Sequence, residues 1–380
     1  MKILKTYVQA SKLLFILATS TLLATQGCGG SQANKETANS AITLPTSNEY
    51  KIKISTTEVG SAIYLNGVYT GEVTPAELSV NTTGEHTIGI GLINSKLYLK
   101  KTISITQSSE LQQFSLNLND LQAAKNWKAL FIGVKNAKKP QGSCVSSYTN
   151  EELDAGYQFL QWSFEERLEG YSYNTVNWLF DRFDITDEIV TLDKNAVLQP
   201  EIIEPYLASH NIKKGDYDFI VPFYRGGDNI DRGVQVTGQD CYLGAYQGLG
   251  WYDYDILSVE ASYVQIRYWD NAIFAIAASK EDQYDPGMFI HEWLHSVAES
   301  KKEGNTFFES QGYTMPDDGS AGHYVVHAAG AYQYTFPWML WYQDLISGKV
   351  KKGQQYLGIT PEAFLACSVR EKALDVCPPK

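Results

Sequence analysis

Met288-Phe289-Ile290-His291-Glu292-Trp293-Leu294-His295-Ser296-Val297 places two histidines four positions apart in a stretch whose apolar residues recur at helical spacing. On an α-helix, residues four apart lie one turn apart on the same side, about 6 Å along the axis, so both imidazoles reach one metal ion. Glu292, beside the first histidine, is placed to take a proton from a water that such an ion activates. Tyr284-Asp285-Pro286-Gly287 in front of the stretch is a helix-start signal, because Pro and Gly end what precedes them. Met288, Phe289, Ile290, Trp293, Leu294 and Val297 supply the apolar walls that bury the helix.

The remaining histidines cluster nearby. The chain has six, and His323 and His327 form a second pair at the same spacing in Gly-His-Tyr-Val-Val-His-Ala-Ala-Gly. The run His291-Glu292-Trp293-Leu294-His295 resembles the HExxH signature of the zincin metallopeptidases. That resemblance implies a Zn2+ cofactor, a protein or peptide substrate, and hydrolysis by metal-activated water with Glu292 as general base. Catalytic zinc keeps three protein ligands and one open position, so the signature is one ligand short. Ser296-Val297-Ala298-Glu299-Ser300-Lys301-Lys302 follows, without the third histidine six positions on that marks the metzincin group. The expected third ligand is therefore His327, then His323, with Glu299, Glu309 and Asp318 as carboxylate alternatives. Hydrolysis also needs a donor to the developing oxyanion, and Tyr332 and Tyr334 are candidates by their position just past His327. In zincins an edge strand beside the active-site helix holds extended substrate, and Ala272-Ile273-Phe274-Ala275-Ile276 is the expected counterpart.

A different class of function stays open on composition. With 25 tyrosines and eight tryptophans, a silent zincin-like scaffold that binds glycan or cell-wall polymer is the alternative. Nucleic acid is excluded as a partner by a formal charge of −12, with basic residues only in short pairs such as Lys138-Lys139 and Lys301-Lys302.

At 380 residues, 44% hydrophobic and 19% charged, the chain buries large cores and suggests two folded units behind a leader. Residues 1–27 read as a signal peptide, with Lys2 and Lys5 before an apolar run from Leu13 to Ala24. Thr25-Gln26-Gly27-Cys28 resembles a bacterial lipobox, which implies lipid on Cys28 and a membrane-anchored protein facing the periplasm or the cell surface. Residues 28–49 are then a flexible tether of low-complexity polar sequence. Cys144, Cys241, Cys367 and Cys377 remain, an even number suited to disulfides in an oxidising compartment. Three pairings are open, of which Cys367 with Cys377 closes a short loop worth roughly 3 kcal/mol and Cys144 with Cys241 pins two distant loops.

From residue 50 to 118 the pattern is of short alternating strands: Lys51-Ile52-Lys53-Ile54, Ala62-Ile63-Tyr64-Leu65, His86-Thr87-Ile88-Gly89-Ile90 and Lys101-Thr102-Ile103-Ser104-Ile105. Turns such as Asn66-Gly67 and Thr83-Gly84 separate them, so the unit is antiparallel β. Gly60-Ser61-Ala62, Tyr64-Leu65-Asn66-Gly67, Gly71 with Thr74-Pro75, and Gly84-Glu85-His86 resemble a PEGA domain. The resemblance implies a compact β-sandwich that serves as a spacer or makes cell-wall or surface contacts.

A boundary at Asn119 to Lys125 leads into residues 126–380, where strands and helices alternate. Strands are expected at Ala129–Val134, Glu188–Leu192, Tyr217–Phe223 and Val264–Arg267, and helices at Glu151–Glu169, Pro200–His210 and Trp338–Ile346. Gly226 to Gly250 reads as a solvent-facing loop. The expected fold class is α+β, mixed α/β: a small antiparallel β-sandwich followed by a zincin-like domain with a mixed sheet and the HExxH helix.

Overall fold

The computed structural model describes residues 49–378, apart from 109, 142–143, 227–242, 244–247, 252–256, 269–275, 278, 281–285, 300–305, 318 and 320–324. The leader, Cys28 and the tether therefore lie outside the described residues. Cys241, Asp318, His323 and the stretch Ala272–Ala275 do so too. Residues Ser47–Lys380 form one compact unit.

Its first part is a two-sheet sandwich. β2 (Ala62–Leu65), β3 (Val68–Val73), β5 (Gly84–Gly91) and β6 (Tyr98–Ile105) make an antiparallel sheet in the order β3-β2-β5-β6. β1 (Tyr50–Ser55), β4 (Ala76–Val80) and β7 (Gln112–Ser115) make the other, in the order β4-β1-β7. Alternation sends Ile52, Ile54, Ile63, Ile88, Ile90 and Ile103 into one shared core. β7 runs parallel to β1, a pairing that hairpin spacing does not reveal. His86 is a structural residue, with Nδ1 on Asn66 at 3.1 Å and Nε2 on the Thr82 carbonyl at 3.2 Å.

The second part is built on a five-stranded sheet. β8 (Lys125–Val134), β11 (Val176–Ile185), β13 (Phe219–Arg225), β14 (Gly248–Trp251) and β15 (Ser262–Tyr268) stand in the order β11-β8-β13-β15-β14, with two further short strands, β9 (Asn136–Lys138) and β10 (Val145–Ser147), nearby. The first four are parallel, and β14 alone is antiparallel, on β15. A parallel sheet must be covered on both faces. One face carries helix α1 (Asn150–Trp162) and the histidine-bearing helix, the other α2 (Pro200–Ser209) with Ile203 and Leu207. Thr149 and Glu152 close a reciprocal cap at the start of α1.

Several expectations need correction. β11, ten residues long, has no counterpart among the expected strands, and the strand expected at Glu188–Leu192 shrinks to β12 (Val190–Thr191). The Gly-rich stretch read as a loop ends in β14, the outer strand of the main sheet among the described residues. The helix over Glu151–Glu169 is regular only to Trp162 and widens into a π-turn over Ser163–Leu168.

The sandwich does not dangle. The Tyr64 hydroxyl donates to the Ser347 carbonyl at 2.8 Å, and Glu362 accepts from Tyr98 at 3.0 Å and from Lys100 at 2.8 Å. Tyr64, Tyr98 and Tyr173 pack edge to face in a buried cluster that joins the two parts.

Candidate metal centre

Helix α3 (Met288–Val297) starts behind Gly287 and is buried on nearly all sides. Trp293, fully buried, anchors it among Trp127, Trp178, Phe164, Phe308 and Phe364. With that face sunk in the core, His291, Glu292 and His295 are turned toward the opposite side, where β14 and the segment Val326–Tyr332 approach.

The three histidines meet there. His291, His295 and His327 each offer a ring nitrogen, and these atoms lie within 4.8 Å of one another. The His327 ring centroid is 5.0 Å from that of each partner, and His327 itself is exposed. His291 Nε2 and His295 Nε2 face each other at 3.1 Å. Their other nitrogens are held from behind: His295 Nδ1 by Glu299 Oε2 at 2.5 Å, and His291 Nδ1 by the Tyr342 hydroxyl at 2.8 Å. A carboxylate accepts, so His295 donates from Nδ1 and its lone pair points inward from Nε2. Burial, aided by the neighbouring imidazoles, pushes both helix histidines down, His291 well below the usual range and His295 to about 3. Both are neutral at physiological pH, the form in which imidazole can bind a metal. His291 and His295 thus offer buried nitrogens with fixed outer partners, and His327 adds a third nitrogen from the exposed side, a donor set suited to a metal ion.

Glu292 is 7% exposed and lies against β14. A Cβ placed on Gly248 would stand 2.1 Å from the Glu292 carboxyl carbon, and one on Gly250 would stand 2.6 Å from His295 Cβ. Glycines two apart share a face of a strand, so Gly248 and Gly250 are the reason β14 can lie this close to the helix. The Trp338 ring stacks on His291 with centroids 6.2 Å apart and walls the site on a third side.

Of the residues singled out from sequence, His291, Glu292, His295 and His327 are brought together. Of the carboxylate alternatives, the two among the described residues have other roles: Glu299 supports His295, and Glu309 caps the short helix α4 (Phe307–Ser310) by accepting from Thr306. Tyr332 donates to the Asp317 carbonyl at 3.1 Å and Tyr334 to Asp344 at 2.6 Å, while both rings pack on Trp341, so their hydroxyls are committed away from the histidines. Tyr342, on helix α5 (Met339–Ile346), is the tyrosine in the site. Sequence reading missed it because 51 positions separate it from His291. Among the described residues the edge strand beside α3 is β14, while the stretch expected at Ala272–Ile276 lies outside them but for Ile276. Cys367 and Cys377 are disulfide-bonded with Cα atoms 5.4 Å apart, and Cys144 is also disulfide-bonded.

Residues 49–122 match the PEGA domain family. No curated protein matches the chain. Among solved structures, the crystal structure of metalloproteinase-II from Bacteroides fragilis aligns over 67% of this chain and 77% of that one, at 11% identity and a TM-score of 0.25. A likeness that loose carries no argument, and the chemistry rests on the residues themselves. Among the described residues no helix is long and apolar enough to cross a membrane.

Proposed function

We propose that the chain is an exported, zinc-dependent peptidase, anchored by lipid on Cys28 at the bacterial cell envelope, with a zincin-like catalytic part. The observation that carries this reading is the convergence of three imidazoles beside a buried glutamate, with the outward nitrogens of the two helix histidines already bonded. Tetrahedral zinc with bonds of about 2.0–2.1 Å sets two ligand nitrogens roughly 3.3 Å apart, close to the 3.1 Å between His291 and His295. His291, His295 and His327 would hold the ion. When bound, it supplies Lewis acidity that brings the pKa of water from about 15.7 toward 7 and polarises a substrate carbonyl.

The chain's own residues do the rest. Glu299 and Tyr342 fix the ring orientations of His295 and His291. Glu292 accepts the proton of the attacking water and returns it to the leaving amine. The outer edge of β14 pairs with an extended peptide and draws it across the site, its glycines keeping the strand within reach of Glu292.

The test is Glu292→Gln. It should retain bound zinc at the wild-type level and lose peptide cleavage by roughly 10²–10⁴-fold on a diverse peptide library. Unchanged cleavage in that variant sinks the proposed mechanism.

A further inference from the structure

A second site lies at the seam of the PEGA domain and the α/β part, away from the histidines. There a cleft of about 990 Å³ opens, at the upper end of the roughly 300–1,000 Å³ usual for ligand sites, and none of His291, His295 or His327 lines it. Its walls come from the turn between β2 and β3, from the hairpin of β16 (Val350–Lys352) and β17 (Gln355–Leu357), and from the chain leaving α4.

The lining has a definite chemistry. Tyr69 and Tyr356 meet at 4.7 Å between centroids and are both half-buried, presenting amphipathic ring surface with hydroxyls attached. Gln311, Gln354 and Gln355 add three carboxamides, each able to donate and to accept, while the Asn66 amide is already taken up by His86 and the Thr87 backbone. Charge is nearly absent. Glu362 is already occupied by Lys100 and Tyr98, and Lys372 is the other charged residue in the lining. An anionic ligand would need a cluster of cations, and none is present among the lining residues. Gln311 adds a separate observation: its Nε2 is buried with no hydrogen-bond partner among the described residues. A buried amide left so costs about 1–3 kcal/mol unless something pairs it. A lining of tyrosines and carboxamides with almost no charge asks for an uncharged ligand rich in hydroxyls. A peptide strand is less suited, because the touching rings of Tyr69 and Tyr356 stand between the edges of β3 and β17.

We propose that this cleft binds a neutral oligosaccharide, stacking sugar faces on Tyr356 and Tyr69 and pairing hydroxyls with the carboxamides. The site would hold its ligand whether or not the metal centre cleaves peptide, and it would place the enzyme on a polysaccharide surface.

The experiment is isothermal titration of the full chain with neutral tetrasaccharides of β-1,4-glucose, β-1,4-xylose, β-1,4-N-acetylglucosamine and α-1,4-glucose. At least one should bind with Kd below about 1 mM. Gln311→Met, which removes a carboxamide of the lining and its Nε2 without a partner among the described residues, should keep the melting temperature and weaken binding at least about tenfold. Tyr356→Ala should weaken it too. The proposal is overturned if none of the four binds at about 10 mM, if both variants bind as well as wild type, or if an uncharged extended peptide binds more tightly than every saccharide.

Discussion

Glu292, His291 and His295 announce themselves by spacing, because a helix turns sequence intervals of one, three and four into fixed positions. Nothing comparable links His291 to Tyr342, or His295 and His291 to His327, since loops of any path can connect them. That is why the third histidine stood as one of several choices in the sequence and Tyr342 was not among the candidates. Glu299 was legible as a residue near the helix end, but its role is set by the i, i+4 contact with His295 Nδ1, which turns it from an alternative ligand into a support. Glu169 is a second residue whose environment decides its behaviour. Burial raises its carboxyl to about 7, with Glu165 and Glu166 adding to the rise, while the hydrogen bond from the Trp178 amide at 2.7 Å opposes it. A carboxyl with a raised folded-state pKa binds more protons folded than unfolded between about 4.5 and 7, so stability falls as pH rises through that window. Relative to Glu169→Gln, the denaturation midpoint of wild type should therefore drop across those pH values, whatever slope the buried histidines add to both proteins. An equal slope in the variant would assign the effect elsewhere.

At the scale of elements, the decisive piece is β14. A Gly-Leu-Gly-Trp run reads as loop because glycine lacks both strand propensity and a side chain to bury. Here the missing side chains are what let the strand lie on α3. Gly248→Ala should therefore push the Glu292 carboxyl aside, lowering peptide cleavage by about 10²-fold or more while leaving metal content at the wild-type level. Equal activity in Gly248→Ala would mean that Glu292 has room to move without consequence. β11 escaped notice for another reason. Val176-Asn177-Trp178-Leu179-Phe180-Asp181-Arg182-Phe183-Asp184-Ile185 mixes charge into a strand at the border of the sheet, where one neighbour and partial exposure suffice. Strands β8 and β13, buried on both faces, carry the continuous apolar runs that make parallel strands legible.

For the whole molecule, the short alternating strands and turn residues made the PEGA sandwich legible, but not its attachment. The seam depends on Tyr64, Tyr98, Tyr173 and Glu362, which come from distant parts of the chain and carry no shared local pattern. With Glu362 tying Lys100 and Tyr98 across that seam, the two parts should unfold together. Calorimetry of the full chain should show one main transition, and Glu362→Ala should lower stability by about 1–3 kcal/mol. Two well-separated transitions in wild type would contradict the coupling.

The reading of the centre as a three-histidine metal site is tested most directly by the metal content of the purified full chain, measured by mass spectrometry beside His291→Ala and His327→Ala. One zinc per chain in wild type and loss of it in both variants is the expected result. A wild-type chain without stoichiometric zinc, or either variant holding zinc as wild type does, would contradict it.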